Sequence, residues 1–113
     1  MQAEPTVAGV PVSDVKAELD RLTRDFLGAF DNTGGGPPKL GIIHEVFIAH
    51  GMIIKNVGAE PVIYDLGSFI APREKLLTDG TLTEFSEWEI SERTEIFGSV
   101  AHRFSEYRKY GIG

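Results

Sequence analysis

The stretch TEFSEWEISERTEIF, residues 83–97, decides how this chain folds. It alternates large apolar and polar side chains over fifteen positions, is rich in β-branched and aromatic residues, and contains neither glycine nor proline. A helix would scatter that pattern, whereas a strand sends alternate side chains to opposite faces. Gly98-Ser99 breaks the run, and VAHRFSEYRKY resumes the alternation. Residues 82–97 and 99–110 therefore predict two long antiparallel strands. Five glutamates punctuate the first, at 84, 87, 89, 92 and 95. Strict alternation puts Glu84, Ser86, Trp88, Ile90, Glu92, Thr94 and Ile96 on one face and Phe85, Glu87, Glu89, Ser91, Arg93, Glu95 and Phe97 on the other. The second set reads as a solvated face. Glu84 and Glu92 flank Trp88 and Ile90, and a carboxylate desolvated beside a tryptophan has its pKa raised toward acid–base use. A β-bulge in so long a strand would exchange the two faces.

Upstream, the pattern becomes helical. Val15, Leu19, Leu22, Phe26, Leu27 and Phe30 trace one face of a helix with Ser13 as N-cap and Asp14 in its first turn. DNTGGGPP ends it, because three glycines and two prolines cannot continue a helix. A short second helix is expected in LGIIHEVFIAHG, followed by strands MIIKNV and PVIYDL around a turn at Gly58. SFIAPREKLLTDG predicts a third helix capped by Ser68, with Pro72 in its first turn. Residues 1–12, with prolines at 5 and 11, read as a flexible leader, and 13–113 as one domain.

Composition narrows the function classes. A chain of 113 residues hides roughly 65% of its unfolded surface. The formal net charge of −6 argues against nucleic acid and anionic membranes as partners, since both are held by clustered lysine and arginine. The one basic cluster, Arg103 with Arg108 and Lys109, is too small to reverse this. The absence of cysteine removes disulfides, thiolate chemistry and Cys-type zinc sites, and fits a cytoplasmic protein. No signal-peptide pattern or membrane-length apolar run occurs in the sequence. His44, His50 and His102 show no HxH or HxxxH spacing, so neither a metal nor any other cofactor is expected. His102 alternates with Val100 and Phe104 on an apparently apolar face. GGGPP lacks the phosphate-loop pattern, and no GxSxG elbow is present.

Taken in order, the "LGAFDNTGG" helix end, the "VFIAHGMII" helix-to-strand junction and the "TEFSEWEISERTEIFGSVAHRFSEYRK" strand pair resemble the nuclear transport factor two-like superfamily, nearest to its small SnoaL-like members. The resemblance covers roughly residues 13–110. It implies an α+β fold, a cone-shaped curved antiparallel sheet wrapped around about three helices, with an apolar pocket inside and dimerisation through the sheet. Members include ketosteroid isomerase, scytalone dehydratase, polyketide cyclases and non-catalytic binding partners. In this chain the place of the isomerases' general-base aspartate falls at or beside Lys55, and that of their oxyanion tyrosine at about Phe26, which disfavours steroid-isomerase chemistry. The superfamily's usual last two strands have no counterpart before "YRKYGIG", so a sheet edge is expected to pair with another chain.

Two functions follow as expectations. One is a pocket for a small hydrophobic ligand, lined by Phe26, Phe47, Phe69, Trp88 and Ile90, with Glu92 and His102 as acid or base of an isomerisation, dehydration or cyclisation. The other is a non-catalytic dimerisation or protein-interaction module, in which the same apolar residues form core.

Overall fold

In a computed structural model the chain is described over residues 4–113. Over those residues it is an α+β protein with three helices and three antiparallel hairpins. Strand β1 (Thr6–Val7) pairs with β2 (Val10–Pro11), and α1 (Val12–Gly28) follows at once. A 3-10 turn at Thr33–Gly35 leads to the short helix α2 (Ile42–Val46). Strands β3 (Met52–Lys55) and β4 (Val62–Asp65) form the second hairpin. Helix α3 (Leu66–Thr78) then delivers the chain to the long ribbon of β5 (Thr83–Phe97) and β6 (Val100–Ile112). Among the described residues the three pairs are separate two-stranded sheets, with no ladder joining one to another.

Four local expectations differ from the structure. The described part of the expected leader pairs as the β1–β2 hairpin, and residues 1–3 lie outside the described residues. Helix α1 starts one residue before Ser13. Pro5 O accepts from Val12 N at 2.9 Å and Glu4 Oε1 accepts from Ser13 N at 2.8 Å, so the preceding hairpin satisfies the helix's orphan donors. Asp65, not Ser68, caps α3: its Oδ1 accepts from Ser68 N at 2.7 Å. The helix is thereby a turn longer at its start, and Pro72 falls in its interior, where it withholds the bond that Ser68 O would accept.

The core is small. Leu27, Ala29, Phe30, Leu40, Ile43, Leu66 and Leu77 are the buried apolar residues among those described. They join the end of α1, α2 and both ends of α3, and Phe85 and Leu82 pack on them from the start of the ribbon. Amid them lies one buried polar side chain, Asn32. Its Nδ2 donates to Leu77 O at 2.9 Å and to Leu82 O at 2.8 Å, while its Oδ1 accepts from Phe85 N at 2.8 Å. Its backbone N donates to Phe85 O at 3.1 Å. One residue after α1 therefore stitches the end of α3 to the base of β5.

The ribbon leaves the core and runs beyond it. Its far end turns through Gly98-Ser99, where Gly98 (φ 56°) supplies the positive φ that a type II′ hairpin needs at its first position. The radius of gyration is 16.4 Å, against about 13 Å for a compact chain of this length. Replacing Asn32 with Ala should cost about 2–4 kcal/mol in urea unfolding, since it strands two carbonyls and an amide in the core. Asn32→Asp should cost at least as much, because it aims acceptors at acceptors.

Candidate functional site: the two faces of the β5–β6 ribbon

The faces of the ribbon are not those that strict alternation gives. Register shifts occur between Thr83 and Ser86 and between Glu89 and Ser91. The second leaves Ile90 unpaired and reverses the parity of everything beyond it. Phe85, Glu87 and Glu89 consequently share the helix-facing side with Glu92, Thr94 and Ile96, and with Arg103, Ser105, Tyr107 and Lys109 opposite them. Trp88, Ser91, Arg93, Glu95 and Phe97 form the outer side with Val100, His102, Phe104, Glu106, Arg108 and Tyr110. Trp88 and Glu92, expected side by side, lie on opposite faces.

Glu84 faces neither set. It occupies the first bulge with φ 50°, a backbone region costly to a residue with a Cβ, and its carboxylate accepts from Gly34 N at 3.1 Å. That bond ties the 3-10 turn to the ribbon.

On the helix-facing side, Arg103 is the hub. Only 12% of its side chain is exposed. It donates to both oxygens of Glu89, at 2.6 and 3.1 Å, and to Asp20 of α1 at 2.7 Å. It donates as well to Thr94 Oγ1 at 3.2 Å. Lys16 bridges Asp20 at 2.6 Å and Glu92 at 2.9 Å, and Thr94 donates to Glu92 at 2.5 Å. Ser105 donates to Glu89. Two cations and three carboxylates thus clamp α1 onto the ribbon.

The electrostatics follow from those partners. Arg103 holds Glu89 below its usual carboxyl range; Thr94 and then Lys16 do so for Glu92, and Lys16 and then Arg103 for Asp20. Glu92 is therefore kept ionised, the opposite of the raised carboxyl expected beside Trp88. Glu87 behaves differently: desolvation raises it, opposed by Lys109 and Arg73. It has no hydrogen bond or ion pair among the described residues. The carboxyl that burial pushes up is thus Glu87, which strict alternation assigns to water.

The remaining expected site residues separate into two groups. Phe26, Phe47 and Phe69 belong to an aromatic chain with Phe30 and Tyr64, their ring centroids 5.4–6.0 Å apart, packed against the core. Trp88 and Ile90 are exposed on the ribbon, 45% and 46%, and neither lines the two clefts described next. His102 sits on the outer face with its ring 4.4 Å from Phe104, across the sheet from Glu92. Two open clefts occur elsewhere. One, of about 600 Å³, lies between the β1–β2 hairpin and Thr94, Ile96 and Gly98 at the ribbon's end. The other, of about 530 Å³, lies between α2 and the start of α3, beside His44, Phe47 and Asp65. Among the described residues no three His, Asp or Glu side chains are placed to hold a metal ion, and no helix is long and apolar enough to cross a membrane.

In comparison with known proteins, no family model, no curated protein and no solved structure matches the chain.

Replacing Arg103 with Met should cost about 1–3 kcal/mol, since it leaves the half-buried Glu89 without its partner. The lowered carboxyls stabilise the fold above their unfolded values near pH 4, and that contribution should vanish as pH falls through their lower folded values. The raised Glu87 has the opposite sign. Its contribution is present below the unfolded value and lost as pH rises through the folded one. Glu87→Gln should therefore raise the Tm at pH 7 and lose that advantage at pH 4, as read by thermal melts at both pH values.

Proposed function

We propose that this chain is a self-associating module whose ribbons stack face to face through their outer sides, in preference to a catalytic pocket domain. The observation that carries the reading is the surface it leaves uncovered. The accessible area is 8145 Å², about 2,000 Å² above what a folded monomer of 12.4 kDa exposes. A stable pair needs about 800 Å² from each partner.

Part of the uncovered apolar surface lies on the outer face of the ribbon, and part on the β3–β4 hairpin, where Met52, Ile54, Val62 and Ile63 are exposed. Trp88, Phe97, Val100, Phe104 and Tyr110 are exposed together on the outer side, Phe97 at 89%. A two-stranded ribbon is marginal without a third strand or a second layer against it. The base of this one is seated on the core, but Phe97 and Val100 at its tip have no cover. A second copy suits the charges as well. Against a chain charge of −6, the outer face carries Arg93 and Arg108 balanced by Glu95 and Glu106, so two copies meet there without net repulsion. The resemblance to the nuclear transport factor two-like superfamily, whose members often dimerise through the sheet, points the same way.

The pocket reading has less support. Its proposed acid, Glu92, is committed to Lys16 and Thr94, its proposed partner His102 is on the other face, and its lining is divided between phenylalanines packed against the core and an exposed Trp88 and Ile90. Sedimentation velocity should give twice the 12.4 kDa chain mass for the wild type, and Phe104→Glu should give the monomer with unchanged circular dichroism. A wild type that sediments as a monomer at all concentrations overturns the proposal.

A further inference from the structure

The cleft beside the first hairpin is bounded by two strand edges. On the hairpin it is lined by Pro5, Thr6, Val7 and Ala8, on the β1 side, and by neither Val10 nor Pro11 of β2. On the ribbon it is lined by Thr94 and Ile96 of β5, and not by their β6 partners Arg103 and Ala101. The space of about 600 Å³ therefore lies beyond β1 as seen from β2, and beyond β5 as seen from β6. Among the described residues no ladder crosses it.

The registers fix which backbone groups are turned toward it. Along an antiparallel pair, residues that exchange both bonds with their partner alternate with residues whose N–H and C=O point away from it. Val12 N donates to Pro5 O at 2.9 Å, and the two-residue turn at Ala8-Gly9 closes on Val7 and Val10 as a bonded pair. Thr6 lies between these positions, so its N–H and C=O point to the free edge. On the ribbon the turn at Gly98-Ser99 closes on Phe97 and Val100, which makes Ile96 and Thr94 the outward-directed residues of β5. Among the described residues Thr6, Thr94 and Ile96 make no backbone hydrogen bond outside the ladders. The strand residues with main-chain groups to offer are thus found on the walls of the cleft. Pro5, Val7, Val12 and Ile96 make those walls apolar, and no charged side chain lines them.

We propose that this cleft is a docking slot for an extended, uncharged segment of another protein, which adds as a strand between β1 and β5. Its backbone pairs with Thr6 on one side and with Thr94 and Ile96 on the other, and its side chains lie against Val7, Val12 and Ile96. The uncharged lining selects an uncharged occupant, because a charged side chain would lose its water there and gain no partner. Added in this way, the segment joins two narrow sheets into a wider one and removes two exposed edges.

The capped peptide acetyl-Gly-Val-Thr-Val-Gly-amide tests the slot. In the free protein the amides of Thr6, Thr94 and Ile96 should exchange quickly with solvent, while those of Val7, Glu95 and Phe97, bonded within the ladders, exchange slowly. Saturating peptide should protect the first three and shift their amide resonances. The same peptide with both valine nitrogens methylated should bind at least tenfold more weakly, and so should one with glutamate in place of each valine. Thr6→Pro removes an outward N–H and leaves the bonds of the β1–β2 ladder in place, so it should weaken binding several-fold with the hairpin intact. Ile96→Asp should abolish binding. No saturable binding, or equal binding of the methylated peptide, overturns the proposal. Protection of the three amides without peptide, rising with protein concentration, would put a second copy in the slot and overturn it as well. The slot lies away from the outer face, so monomeric and dimeric protein should bind the peptide alike. Failure here leaves the reading of the outer face untouched, and the reverse also holds.

Discussion

Asn32 holds together parts of the chain that have little other reason to meet. Its side chain spans the last residue of the core in α3, the loop leaving that helix and the first inward residue of β5, and every partner is a backbone group. A buried amide is worth this only if all its bonds are made, and here they are. Because the partners are main-chain atoms, the joint fixes where the ribbon starts and which way it leaves. Leu82 and Phe85 are seated beside it, and Gly111 passes over them so closely that a Cβ there would lie 2.8 Å from Leu82 and 2.9 Å from Phe85. Both strands of the ribbon are thus anchored at one end, and the turn at the other end is exposed.

What lies between the anchored end and the turn is closed by an ion network on the inside and carries exposed aromatic residues among balanced charges on the outside. The inner side is closed against α1 by Arg103, Lys16 and their carboxylates, which bring specificity of register more than stability, since a half-buried ion network spends much of its attraction on desolvation. Among the described residues, no other element packs on the outer side. Its exposed aromatic residues and balanced charges are the features on which the proposed self-association rests.

Much of this arrangement is legible in the sequence. The periodicity of residues 15–30 and the alternation of 83–110 specify α1 and the ribbon, and Gly98-Ser99 specifies the turn. The faces of the ribbon are not legible, because a single unpaired residue at Ile90 reverses them and nothing in EWEIS marks the bulge. That one reversal sends Trp88 away from Glu92 and exchanges the roles of Glu87 and Glu92. The hub at Arg103 was hidden for another reason: its partner Asp20 is 83 residues distant, and only the Lys16–Asp20 spacing on α1 hinted at a charged strip there. Asn32 sits in DNTGGGPP, which reads locally as nothing more than a helix stop. Its partners are set by the tertiary fold.

Trp88 is the single tryptophan of the chain, and it sits in the middle of the outer face. Its fluorescence therefore reports directly on whether that face is covered in solution. With the face buried against a second copy, the emission is blue-shifted and protected from iodide at concentrations where the pair forms, and dilution to the monomer reverses both. A red-shifted emission open to iodide at every concentration would mean that the face remains in water, and would contradict the account.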